Sequence, residues 1–446
     1  MGVDTNSGVD GDQNPQRAIG LRCSRPRAPH LAGLPRSLSV SALAEWIGSS
    51  PSACPRRPNL HRFICGTVPA APVEVLGDIE RQKRKRAVLR HLLLSVLAGL
   101  FAVGPAASQV EPTVEPTTIK PYLTPAQLVE VAGKRRLNLV CMGGGDATVL
   151  FDAGGSDWSA IWALVQPAVA RQAKACAYDR AGLGHSDPAR GPRTPVAIAD
   201  DLHALISAAG LKRPLILVGH SLGGFNVKLH AALYPEDVAG LVLVDPSEER
   251  TWDRTRAAIQ SKYGYRLAAR SELIDQGALA GLVEHYRGCR AVASEKPLDP
   301  ASTSYRRCSD PVRPKLGPDI AAMRQKVQVT SAYQSAQASE IEFSIYGTEL
   351  ADPVYARLFR PGAFGSMPLI VLTHEQTQSD DPLEALGSVQ WLALHRSSAE
   401  LSRRGVQRII PRTSHHIELD APDAIVAAIT EIIEQAVELR ASDKGR

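Results

Sequence analysis

The run Gly219-His220-Ser221-Leu222-Gly223 stands directly after the apolar stretch PLILVG (214–219) and before the helical pattern FNVKLHAALYP. A strand-turn-helix elbow would hold Ser221 in a strained turn at the carboxyl end of a sheet. The flanking glycines give the chain room to pass. The bland alternative is a turn serine capping the following helix. A serine hydroxyl becomes a nucleophile only when a neighbouring base removes its proton, so a histidine and a carboxylate that orients it should follow in the chain.

Six histidines come after Ser221. His230 lies on the same helix and points away. His285 and His395 fall in helical patterns, where packing or solvent is their default. The segment TSHHIELDAPD, beyond the last candidate strand, offers His415, with His416 as the alternative. A loop after a terminal strand can swing an imidazole over the sheet edge. For the acid, Asp245 closes GLVLVD, while Glu375, Asp380 and Asp381 follow PLIVLT. Strand-end geometry prefers Asp245; its other reading is a helix-capping Asp before Pro246. Acyl transfer also needs two donors for a developing oxyanion. Leu222 N–H supplies one, and Gly155 the other, because Gly154-Gly155 after TVLFDA lets the backbone approach closely. The Gly-rich YDRAGLGHSD (178–187) lacks the G-K-[ST] of a phosphate-binding loop, and Asp179 and Arg180 read as a structural pair. None of this chemistry calls for a metal or a cofactor.

Short apolar runs alternate with helical patterns, the mark of an α/β fold with a mostly parallel sheet. Candidate strands are 136–142, 148–153, 174–179, 214–219, 240–245, 368–373 and 406–411. PVAIADDLHALISAAG (195–210) reads as a helix stopping at Gly210. The alternation breaks over 247–367, which reads as a helical lid. The core is then 126–246 and 368–438, behind a Pro-rich linker at 109–125.

The chain has 446 residues, of which 44% are hydrophobic and 22% charged, with a net charge of +5. Residues 1–90 carry 14 Lys+Arg against 7 Asp+Glu, leaving 37 against 39 for the remainder. The globular part is near neutral, which excludes a basic nucleic-acid-binding module. Residues 1–80 show no sustained period and read as disordered. At 81–108 a basic stretch, an apolar run from Leu92 to Val103 and the small residues GPAAS match a secretory signal peptide. Its position suggests that translation starts near residue 75 and that the protein is exported, to the periplasm or beyond. The alternative is an uncleaved, membrane-attached helix over 88–104. Cys141, Cys176, Cys289 and Cys308 remain after that segment. They form no C-x-x-C pair, which argues against a structural zinc site, and in an oxidising compartment they allow two disulfides in three connectivities.

Taken together, GKRRLNLVCMGGGDATVLFDAGG, CAYDRAGLGHSD, DLHALISAAGLKRPLILVGHSLGG, YPEDVAGLVLVDPSEE and TSHHIELDAPD resemble the α/β-hydrolase superfamily over residues 126–438. The resemblance implies an eight-stranded sheet with a helical lid after the sixth strand, and hydrolysis of an ester-like bond in a small molecule without a cofactor. It also implies that Cys141 pairs with Cys176 and Cys289 with Cys308. The sequence departs from the family pattern twice. HEQTQ stands where relatives often carry an Asp after the seventh strand, and Ser414 replaces the Gly usual before the base. A carboxylesterase or lipase-like activity follows from this reading. Its rivals are a cofactor-free perhydrolase or C–C hydrolase on the same scaffold, and a non-catalytic binding protein that keeps the fold. Dehalogenase and epoxide-hydrolase relatives place Asp where this chain has Ser221.

Overall fold

The computed structural model describes residues 116–249, 251–344, 355, 357–376 and 378–444. The segments read as disordered (1–80) and as a signal peptide (81–108) lie outside the described residues. Among the described residues no helix is long and apolar enough to cross a membrane.

In chain order the main elements are α1 (Pro116–Leu123), β1 (Gln127–Val131), β2 (Arg135–Met142), β3 (Thr148–Asp152), β4 (Lys174–Tyr178), α2 (Pro195–Ala208), β5 (Leu215–His220), α3 (Leu222–Leu233) and β6 (Val238–Val244), with a single helical turn, Gln166–Val169, between β3 and β4. Next come the helices α4 (Thr251–Tyr263), α5 (Tyr265–Glu295), α6 (Thr303–Cys308), α7 (Gly317–Gln328) and α8 (Ser331–Phe343). The chain then returns through β7 (Leu369–His374), α9 (Pro382–Ala399), β8 (Gly405–Ile410), α10 (Ile417–Asp420) and α11 (Pro422–Lys444). The eight strands form one sheet in the order β1-β2-β4-β3-β5-β6-β7-β8. β2 runs antiparallel to both its neighbours, and the pairs from β4 to β8 are parallel.

Burial explains which strands are legible as apolar runs. β3 and β5 are buried along their whole length, as parallel strands covered on both faces must be. Val149, Phe151, Val218, Val242 and Val244 face a core with Trp162, Ile429 and Ile432. Their chain neighbours Leu150, Leu217, Leu241 and Leu243 face the opposite core with Leu202, Ile206 and Val227. The edge strand β1, with the sequence QLVEV, buries only Val129 and Val131. Such an alternating edge lacks the continuous apolar run of the interior strands. The linker expectation also gives way in part: within 109–125, Pro116 to Leu123 is helical, and Ile119 and Tyr122 pack into the core. The Tyr122 hydroxyl donates to Gln166 Oε1 at 2.8 Å.

Both cysteine pairs form. Cys141 and Cys176 are register partners on β2 and β4, and Cys289–Cys308 ties α5 to α6. The helices between β6 and β7 make a second layer held to the loops after β3 and β4. Arg324 of α7 pairs with Asp157 and lies 4.6 Å over the Trp158 ring. Glu340 of α8 accepts from Arg180 Nε at 2.6 Å and Nη2 at 2.9 Å, and from Ser156 N–H at 3.2 Å. Here the expected Asp179–Arg180 pair is corrected. Arg180 bonds Asp152 at 2.7 Å and the carbonyls of Ala153 and Gly154, whereas Asp179 accepts from Asn138, Ser159 N–H and His185 N–H. The two side chains share no hydrogen-bond partner, so each does its structural work apart from the other.

Candidate active site

Ser221 occupies a turn of φ 50°, ψ −120° between β5 and α3, a conformation that costs a non-glycine residue free energy and persists only where its surroundings impose it. The surroundings are tight. A Cβ on Gly219 would lie 2.3 Å from Gly223 O, and one on Gly223 would lie 2.4 Å from Asp152 O, so neither position admits a side chain. Ser221 N–H donates to Val244 O at 3.0 Å, tying the elbow to β6. The Ser221 side chain makes no capping bond to α3; its Oγ lies 3.4 Å from Ser247 Oγ. The helix-cap reading therefore fails.

The loop after β3 passes against this elbow. A Cβ on Gly154 would meet His220 Nδ1 at 2.9 Å and Ser221 Cβ at 3.5 Å, and one on Gly155 would meet Leu222 Cδ2 at 3.7 Å. Gly155 and Leu222 are thus neighbours across the elbow. Leu222 opens α3, so its N–H has no partner within the helix.

Asp245 follows β6 in the left-handed region, φ 43°, with its carboxylate fully buried. It caps no helix. Oδ2 accepts from His415 Nδ1 at 2.5 Å and from His374 Nδ1 at 2.7 Å, and Oδ1 from His374 N–H at 3.0 Å and Trp391 Nε1 at 3.4 Å. Burial pushes this carboxyl up, but the bonds from His374 and His415 outweigh it and hold the group well below the usual carboxylate range.

His415, in the loop after β8, spends Nδ1 on Asp245, which leaves Nε2 as the second nitrogen. Its backbone carbonyl accepts from His220 Nε2 at 2.9 Å, and the two rings lie 4.7 Å apart, so the imidazole is fixed beside the residue preceding Ser221. Burial disfavours its charged form, yet the bond to Asp245 and that residue's charge prevail and raise its pKa. His416 turns elsewhere: Nδ1 meets Glu418 Oε1 at 2.9 Å, and burial, with Arg313 and His415 nearby, lowers it to about 3. Glu375 accepts from Arg412 N–H, and Asp381 caps α9 through Leu383 and Glu384 N–H. Among the described residues neither these nor Asp380 bonds His415 or His416. The structure thus brings Asp245 to His415 and Gly155 to Leu222 beside Ser221.

Sequence reasoning did not single out His374. It closes β7 one strand over from Asp245, and its place at a strand end is the one signal the sequence carries for it. The ligating atoms of Asp245, His374 and His415 lie close enough to hold an ion, as do those of His203, His230 and Asp237 and of His220, His416 and Glu418. On Asp245, however, the 2.5 and 2.7 Å separations are those of hydrogen bonds, shorter than the roughly 3.3 Å between adjacent ligands on a tetrahedral zinc.

Comparison with known proteins bears on the fold. The chain is 41% identical over 114 residues to a probable transporter, efuK, of Hormonema carpetanum, a match covering 25% of this chain and 16% of that protein. It is 34% identical over 90 residues to the mouse (lyso)-N-acylphosphatidylethanolamine lipase, covering 19% of this chain and 26% of the lipase. The chain thus spans about a quarter or less of the length of these relatives. A haloalkane dehalogenase variant from Bradyrhizobium elkanii superposes with a TM-score of 0.50 at 19% identity, covering 71% of this chain and 98% of that one, a likeness of fold alone. The family model for the alpha/beta hydrolase fold matches residues 147–401, more than half of the sequence. The chain belongs to the α/β-hydrolase fold family.

Proposed function

We propose that this hydrolase-fold protein is a serine hydrolase acting on a carboxylic ester of a small molecule. The observation that carries the reading is the 2.5 Å bond between Asp245 and His415, made across 170 residues and beside the Ser221 elbow. In the proposed reaction Ser221 Oγ attacks the ester carbonyl while His415 Nε2 takes its proton. Asp245 stabilises the imidazolium, and the N–H groups of Gly155 and Leu222 bind the oxyanion. The imidazolium returns the proton to the departing alcohol, and water then releases the acid from the acyl-serine by the same path in reverse order. The layer α4–α8 is the lid in this account. Two disulfides favour an oxidising, exported location.

A fluorophosphonate probe followed by peptide mass spectrometry is expected to label Ser221, and nitrophenyl esters of increasing acyl length to be hydrolysed with a preference set by the pocket. His415→Gln should lose at least about a thousandfold in kcat, while His416→Gln stays within about threefold of the parent. Probe adduct on another residue, or equal losses in both variants, would sink the reading.

The pH dependence follows with its sign. The base must be neutral, and its pKa is raised, so kcat/KM is expected to rise with pH through an apparent value above the ordinary 6.5 of histidine. A profile flat from pH 6 to 8 would contradict it.

A further inference from the structure

Asp245 Oδ2 accepts two imidazole N–H groups, one from His415 and one from His374. The second is not accidental packing. Gln376 Nε2 donates to His374 Nε2 at 2.9 Å, which leaves the ring proton on Nδ1, aimed at Oδ2. The His374 backbone N–H takes the other carboxylate oxygen at 3.0 Å. One residue therefore grips both oxygens of the acid from the end of β7, while Trp391 touches Oδ1 from α9.

We propose that His374 is a positioning residue that sets how tightly Asp245 holds the proton of His415, by occupying one of the two acceptor directions of the same oxygen. This rests on the serine-hydrolase reading of Ser221, His415 and Asp245. A carboxylate oxygen shared between two donors gives each a weaker bond than it gives one alone, so His374 restrains the basicity that Asp245 confers on His415. It also fixes the carboxylate plane, which Asp245, alone at a strand end in a left-handed turn, has few other bonds to define. The other charged or titratable groups facing this centre come from every side. They are His395 of α9, 3.9 Å from Asp245 Oδ1; Lys228 of α3, acting on His395; Glu418 of α10 and Arg313 of the helical layer, acting on His415; and His416 and His220 beside it. None of them takes Oδ2.

The test uses the full chain and the pH dependence of fluorophosphonate labelling. His374→Leu removes the donor, so the labelling midpoint should move up by about half to one pH unit. His374→Asn places an amide N–H where Nδ1 stood and should bring the midpoint back to that of the parent. A His374→Leu midpoint equal to the parent's would overturn the proposal, since loss of a merely space-filling residue can lower the rate but leaves the midpoint fixed, whereas loss of the proposed donor must move it. A second measurement needs no variant. In wild-type protein with nitrogen-15-labelled histidine, two low-field Nδ1 protons are expected, and that of His374 should shift with the same midpoint as that of His415. A His374 proton that stays still while His415 titrates would refute the sharing. If the wild type takes no probe at all, the serine-hydrolase reading falls, and the proton spectrum alone decides whether the carboxylate is shared.

Discussion

Asp245→Asn is expected to lower kcat on a nitrophenyl ester by roughly three to four orders of magnitude while leaving the protein folded. An asparagine NH2 at the Oδ2 position would face both imidazole donors, and one at Oδ1 would face the His374 backbone and Trp391 N–H groups. In either orientation the charge that stabilises the His415 imidazolium is gone, and in the first His415 cannot keep its present tautomer. Relief comes when His415 moves its proton to Nε2, and that tautomer cannot accept a proton from Ser221. The loss should appear in kcat and in the probe-labelling rate alike, because the interaction is needed only once charge develops. Asp380→Asn and Asp381→Asn should keep activity within about threefold. Asp381→Asn should also keep its stability, since asparagine caps a helix about as well as aspartate. Turnover near that of the parent in Asp245→Asn would refute the assignment of the acid.

The largest expected loss of stability lies at Arg180→Gln. This guanidinium is fully buried, with Asp152 on one side and Glu340 on the other, and it also holds the carbonyls of Ala153 and Gly154. Burial works against its charge, but the two carboxylates prevail and keep it firmly protonated. Glutamine would leave two buried carboxylates facing each other without a cation. Breaking a buried pair in this way costs about 3–5 kcal/mol, which denaturant unfolding would register as a lower midpoint. A change below about 1 kcal/mol would mean that the carboxylates are relieved by water or protons instead.

Interior strands announced themselves in the sequence because burial on both faces forces unbroken apolar runs, as in LILVGH of β5 and VAGLVLV of β6. β1 did not, since an edge needs only every second residue apolar. The α1 helix hid among prolines: Pro116 opens it, and Ile119, Tyr122 and Leu123 supply too short an apolar stripe to stand out. At the candidate site, the placement of Ser221, Asp245 and His415 was legible because each ends or follows a strand. The bond from His374 to Asp245 was not, since it joins neighbouring strand ends and no local pattern encodes the direction of an imidazole. Arg180 was misjudged for a related reason. Its partners lie 28 and 160 residues away, while the adjacent Asp179 was the one in view.

The bond from the His220 ring to the His415 carbonyl has a consequence for the order in which the proposed site is completed. Seven of the eight strands precede β8 and the turn beyond it that carries the imidazole, and Ser221 and Asp245 both lie before that turn in the chain. In the proposed serine hydrolase, the base is thus the last of the three side chains that the chain supplies, and it completes the site only when that turn docks on the elbow.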